Sequence, residues 1–175
     1  MTEEQTYTLS VFTENKIGLL HRITTIFTRR HINIESLTTS ESEIQGIHRF
    51  VIVIKSTETQ VLKLQKQLDK IIGVVKAFVL RDHDVVHQEL AMYKVSTEKM
   101  VNGTFERIIR DNHARVLSFD KDHLMIEKTG HPGETLQLFK LLEPYGVLGF
   151  SRSGAIAISK KPLNLRAYVE GELKE

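Results

Sequence analysis

Hydrophobic and polar positions change period along this chain in a recurring way. Tyr7, Leu9 and Val11 alternate with polar residues, the period of two that predicts a half-buried strand. Glu14-Asn15-Lys16 interrupts the alternation. After Gly18, Leu19, Leu20, Ile23, Ile26 and Phe27 recur at the spacing of one helix face. That helix gives out at Arg29-Arg30-His31, and Ile32, Ile34 and Leu37 begin a second strand. A polar stretch over 40–46 leads into a β-branched run over 47–54, which predicts a well-buried third strand. Thr57, with Gln60 three residues later, has the form of a capping box. Val61, Leu64, Leu68 and Ile71 then keep helical spacing until Gly73 stops the helix, and a fourth strand covers 74–80.

Strand, helix, strand, strand, helix, strand is the order of a split βαβ arrangement. With right-handed crossovers it gives four antiparallel strands beneath two helices, a ferredoxin-like sandwich. The second strand falls at a sheet edge and carries Thr38, Thr39 and Ser40. An open edge is where another copy can pair. Residues 81–88 are polar and charged and predict a linker. From Glu89 the order repeats: Leu90, Met92, Tyr93 and Val95 predict a strand, and Phe105, Ile108 and Ile109 lie on one side of a helix ending near Asn112. Strands follow over 115–119 and 123–128. Pro132-Gly133 opens a helix with Leu136, Phe139 and Leu142, which Pro144 and Gly146 stop. A strand over 147–151 comes next, and 155–159 continues or follows it. The fold class is therefore α+β, with two ferredoxin-like βαββαβ sandwiches. The expected divisions are a first domain over 1–80, a linker over 81–88, a second domain over 89–160 and a loosely held polar tail over 161–175. The repeat is one of architecture, since few residues match between the halves.

Composition narrows the function classes. The 175 residues carry a formal net charge of +2, with Lys and Arg interleaved with Asp and Glu. No basic block points to nucleic acid or an anionic membrane. The absence of Cys excludes disulfides, thiolate nucleophiles and Cys-ligated metals. No apolar run approaches membrane-spanning length, and the N-terminus reads as neither a signal nor a transit peptide. The expectation is a soluble, cytoplasmic protein.

The loop from Asn15 to Gly18 is the strongest candidate site. A helix N-terminus presents N–H groups and partial positive charge that suit an anion. Gly18 has no side chain to keep a small ligand from the backbone, and Asn15 offers both a donor and an acceptor. A free amino acid would fit such a cradle. The plainer reading makes Asn15 a turn residue or N-cap and Gly18 a relief of crowding. Elsewhere, His83 and His87 are four apart beside Asp82 and Asp84, a metal-binding spacing only if they lie on a helix with a third ligand. The sequence supplies no such ligand at fixed spacing, so no metal site is expected. Phe50 lies in a strand where RNA-recognition sandwiches carry paired base-stacking aromatics, but its neighbours are aliphatic and the strand reads as packing. No nucleophile elbow, phosphate loop or dinucleotide fingerprint is present, so no catalytic residue is assigned.

Glu14-Asn15-Lys16-Ile17-Gly18-Leu19-Leu20, followed after the helix by Asn33-Ile34-Glu35-Ser36-Leu37, closely resembles the ACT domain of the acetolactate synthase (acetohydroxyacid synthase) small subunit. Glu89-Leu90-Ala91-Met92-Tyr93-Lys94-Val95 and Arg152-Ser153-Gly154 are similar to the start and end of that family's C-terminal domain. The resemblance implies a regulatory subunit with no catalytic activity of its own and no cofactor in this chain. Thiamine diphosphate, magnesium and FAD would reside in a large catalytic subunit that this chain activates. It also implies feedback inhibition by valine in branched-chain amino-acid biosynthesis, and a homodimer formed edge to edge through the ACT domain. Carried over by residue, Asn15 and Gly18 would hold the valine amine and carboxylate, with Ile17 and Leu19 beside them. Asn33 and Ile34 of the other protomer would close the site. His31 and His21 stand where small residues are common in the family. The first requires a positive φ at a turn, and the second bears on effector affinity. The alternative is a stand-alone amino-acid-sensing ACT protein that regulates another partner.

Overall fold

The computed structural model describes residues 3–99 and 103–171. The last four residues of the expected tail, 172–175, lie outside the described residues. The chain forms two compact units. One combines the residues up to His87 with those from Ala155 onward, and the other is Gln88–Gly154.

In the first unit, β1 (Gln5–Glu14), α1 (Leu19–Arg29), β2 (Ile34–Glu41), β3 (Ile47–Ser56), α2 (Glu58–Leu68) and β4 (Val74–Arg81) follow the predicted order. The sheet order is β2-β3-β1-β4, all antiparallel, so β2 is an edge strand as expected. Tyr7, Leu9 and Val11 meet Ile23 and Phe27 of α1 and Val61, Leu64 and Leu68 of α2 in one core. Leu20, predicted to lie on the buried face of α1, is 43% exposed. The α1 C-terminus closes as a Schellman turn: Ile32 N–H donates to Phe27 O and His31 N–H to Thr28 O, with His31 at φ 54°. The expected capping box at α2 is half made. Thr57 accepts from Gln60 N–H, while the Gln60 side chain accepts from Ser56 instead.

The second unit repeats the order with β5 (Val85–Ser96), α3 (Thr104–Asp111), β6 (Arg115–Phe119), β7 (His123–Gly130), α4 (Pro132–Leu142) and β8 (Val147–Arg152). Its sheet order, β6-β7-β5-β8, is that of the first unit, and both units are ferredoxin-like. The α3 C-terminus repeats the Schellman turn with His113 at φ 52°. The α4 face differs from the predicted one. Thr135, Leu138 and Leu142 are buried and Leu136 is 42% exposed. A threonine can occupy that face because the buried carboxylate of Glu89 accepts from its hydroxyl, while its carbonyl accepts from Tyr93 Oη at 2.7 Å.

Two segments depart from the sequence expectation. The supposed linker is structured: a one-turn 3-10 helix over Asp82–Asp84 leads directly into β5, where Val85 is buried. The C-terminal segment, expected to complete the second domain and then trail off, packs in the first unit. Here β9 (Ile156–Ser159) pairs with β5, and Ala157 packs with Val51, Leu80 and Val85. Further on, α5 (Leu165–Val169) buries Leu165 against Phe12 and Ile47, and Tyr168 meets Phe78 edge to face. The larger residues of its strand, Ile156 and Ile158, point outward, whereas Ala157, Leu165 and Tyr168 lie against the sheet face opposite the helices, so hydropathy does not report where the segment packs.

Candidate functional site

β1 runs straight into the loop that sequence reasoning singled out. Glu14 N–H donates to Gly73 O at 2.8 Å and Asn15 N–H to Gly46 O at 3.0 Å, so neighbouring turns fix the loop's root. Lys16 Nζ lies 2.6 Å from Glu14 Oε2, which holds the ammonium to one side. The helix N-cap is Gly18 at φ 86°, ψ −8°, and no side chain caps it. Asn15 is therefore not the cap. Its side chain is exposed, and its backbone ties it to the fold. A Cβ built on Gly18 would meet nothing within 4 Å. The left-handed backbone requires glycine there, and the absence of a side chain leaves the helix end open. Leu19 N–H donates to Lys16 O at 3.4 Å, and the next N–H groups of the first turn have no intrahelical acceptor.

The other predicted residues separate by burial. Ile17 is fully exposed at the loop tip, and Leu20 is 43% exposed in the first turn of the helix. Leu19 is 2% exposed, and its side chain lies against Gly73. It can contribute to this loop only through its backbone, which corrects the expectation of an apolar contact there. His21 is exposed on the first helical turn.

Asn33 is exposed, and its Nδ2 donates weakly to Glu35 Oε1 at 3.5 Å. Ile34 packs partly on the core. Within one chain these two are not near the loop. Ile34 stands opposite Ile54, which pairs with Tyr7 near the start of β1, whereas the loop follows Glu14, opposite Ile47. At a rise of about 3.3 Å per residue, the two groups lie roughly 20 Å apart, at opposite ends of the sheet. One chain thus brings together Asn15, Ile17, Gly18 and the Leu19 backbone, and leaves Asn33 and Ile34 apart from them.

The remaining candidates resolve plainly. His83 sits in the 3-10 turn near Asp84, and His87 lies on β5 near Asp82, so the two do not share a helix face. No group of three metal-ligating side chains occurs among the described residues. Phe50 is 6% exposed in the core beneath the helices. The opposite sheet face, where a base-stacking platform would have to lie, is covered by 155–169. No helix among the described residues is long and apolar enough to cross a membrane.

Sequence reasoning gave no role to Arg49, which the fold places centrally on that covered face. Its Nε donates to Ser10 Oγ at 2.8 Å and its Nη2 to Ala157 O at 2.5 Å, with the guanidinium over the Phe12 ring. Burial pulls its pKa below the ordinary arginine value, and Glu43 opposes that shift. Its sequence signal is a cation directly before the apolar run Phe50 to Ile54.

Comparison with known proteins covers both units. A family model described as the AHAS small subunit-like ACT domain matches residues 9–76. A second, described as the small subunit of acetolactate synthase, matches residues 88–161. An acetolactate synthase small subunit of Mycolicibacterium smegmatis is 33% identical over 162 residues, 93% of this chain and 95% of that protein. One from Bacillus subtilis is 36% identical over 151 residues, 83% of this chain and 86% of that protein. The crystal structure of the acetolactate synthase small subunit from Thermotoga maritima superposes with a TM-score of 0.83 at 25% identity, covering 91% of this chain and 99% of that one.

Proposed function

This chain belongs to the family of acetolactate synthase small subunits, and on that footing we propose that it is a valine-responsive regulator of the large catalytic subunit. Membership in a small-subunit family implies the large partner. The cofactors of the condensation belong to that partner, where thiamine diphosphate, magnesium and FAD are expected. This chain supplies the sensor.

The observation that carries the reading is the open α1 N-terminus: a left-handed Gly18, no side-chain cap, and exposed Ile17 and Leu20 alongside. N–H groups at a helix start suit a carboxylate. The exposed apolar pair suits a short branched aliphatic group, and the exposed Asn15 can accept from an ammonium. A free branched-chain amino acid carries all three features, with valine the expected effector.

The second half of the site comes from a second copy. β2 is an open edge, and two edges joined antiparallel about a two-fold axis place the Ile34 end of one strand beside the Glu41 end of the other. Glu41 aligns through His48 with Thr13, where β1 enters the loop. Asn33 and Ile34 of one protomer then approach the Gly18 loop of its partner, and the separation within one chain is accounted for. Valine at such a junction fixes the angle between protomers. It regulates only through a difference in its affinity for two arrangements of the complex. A response of five- to a hundred-fold needs about 1–3 kcal/mol of difference.

Reconstitution with the large subunit tests the reading. Added chain is expected to raise acetolactate formation, and valine to lower it again. Gly18→Asp should abolish both the valine effect and the calorimetric heat of valine binding, because it places a carboxylate where the ligand's own must sit. Catalysis indifferent to the chain would refute the regulatory role, and valine heat unchanged in Gly18→Asp would refute the site.

A further inference from the structure

We propose that Ser36 and Thr38 on β2 form a clasp that carries effector occupancy from the β2 edge to the chain segment emerging from the second unit. The proposal rests on the effector reading above and names how that site is coupled.

Three observations place the clasp. First, Ala155 N–H donates to Ser36 Oγ at 2.9 Å, and Thr38 Oγ1 donates to Ala155 O at 2.8 Å. Two side chains of the edge strand thus hold both the N–H and the carbonyl of one residue. Ala155 is also the first residue after Gly154, where the chain leaves β8 of the second unit through a left-handed glycine at φ 78°. Second, the β2–β3 register shifts between Ile34 and Ser36. A bulge there lets the strand's start re-aim without unzipping the rest. It falls between the residues expected to close the effector site, Asn33 and Ile34, and the residues of the clasp. Third, the segment beyond the clasp is held at successive points. Arg49 Nη2 donates to Ala157 O at 2.5 Å, and Lys160 N–H donates to Asp84 O at 2.9 Å. Ala155 and Ala157 face the sheet, 5% and 2% exposed, and their small side chains permit the close approach.

A ligand that pulls on Ile34 flexes β2 at the bulge, and the displacement reaches Ser36, the residue that ends it, while Thr38 stays in the paired part of the strand. Because Ala155 is hydrogen-bonded to β2 through both its N–H and its carbonyl oxygen, it follows. Gly154, the residue before it, has the left-handed backbone that lets the chain turn at this point. Polar hydroxyls on an exposed edge strand, in place of the Val or Ile that would add packing, fit a contact that can shift between two arrangements.

The test uses the reconstituted complex of large and small subunits with the double variant Ser36→Ala/Thr38→Val. Valine affinity of the small subunit alone, measured by calorimetry, should stay within about twofold of the wild type. Valine inhibition of the complex should fall by about fivefold or more, the lower end of a typical coupling. Ser36→Thr and Thr38→Ser, which keep the hydroxyls, should retain inhibition. Amide exchange over 155–159 should quicken in the double variant and slow on adding valine only in the wild type. Unchanged inhibition in the double variant overturns the clasp. Loss of valine binding together with inhibition, in a variant that melts like the wild type, also overturns it, since the hydroxyls would then belong to the site itself. Absence of valine heat from the wild-type chain removes the effector reading first and the clasp with it, so the two failures are distinguishable.

Discussion

Gly18 and His31 bracket α1, and both have a positive φ for different reasons. At Gly18 a Cβ would meet open space, so the cost of Gly18→Ala is conformational, about 1–2 kcal/mol for a left-handed non-glycine residue. At His31 the protein already bears that cost, and His31→Gly should stabilise by roughly 0.5–1 kcal/mol. Urea denaturation of the two variants should shift the midpoint in opposite directions. Tyr93 offers a test by pH. Burial raises its phenol pKa well above the ordinary value, Glu89 adds to the shift and Arg152 opposes it. The unfolded chain releases this proton near pH 10 and the folded chain keeps it. The stabilisation is therefore present below that pH and lost as pH rises above it. Tyr93→Phe should flatten the alkaline fall in stability measured by denaturant titration between pH 9 and 11. Gly18 and His31 were legible in the sequence because turn chemistry is local. Arg49 and the Glu89–Thr135–Tyr93 cluster were not, since each takes its role from residues far away in the chain.

Among the elements, those with sustained periodicity matched expectation and the sparse ones did not. α1 and α2 present apolar residues every three or four positions, and a helix is their only way to bury them. The strand over 156–159 shows an alternation too: Ala157 is buried while Ile156 and Ile158 are more than 60% exposed. The larger residues point outward, so hydropathy alone misplaces the segment. Leu165 decides the matter by measurement. If the C-terminus is held on the first unit, Leu165→Ala should cost about 2–3 kcal/mol, as for other buried leucines, and raise amide exchange across α5. A cost near zero would restore the loose tail that the sequence predicts. Candidate-site residues followed the same rule. The Gly18 loop could be located from sequence because one loop contains it, whereas the burial of Leu19 depends on Gly73, more than fifty residues away.

For the whole molecule, the family was most sharply visible in two motifs, the Gly18 loop and the Asn33–Leu37 strand, and the fold repeat in the order of elements that recurs from Glu89. Neither motif states that one chain holds its two halves at opposite ends of a sheet; that follows only from strand order and register. The central claim is that valine binds between two copies, on the Gly18 loop of one and the Asn33 edge of the other. Calorimetry on mixed variants tests it most directly. Gly18→Asp and Asn33→Ala should each bind no valine alone. After subunit exchange, each mixed dimer pairs an intact loop with an intact edge at one of its two sites, and about a quarter of the wild-type sites should return. Mixing that restores no binding, from variants shown to form mixed dimers, would place the whole site within a single chain and contradict the account.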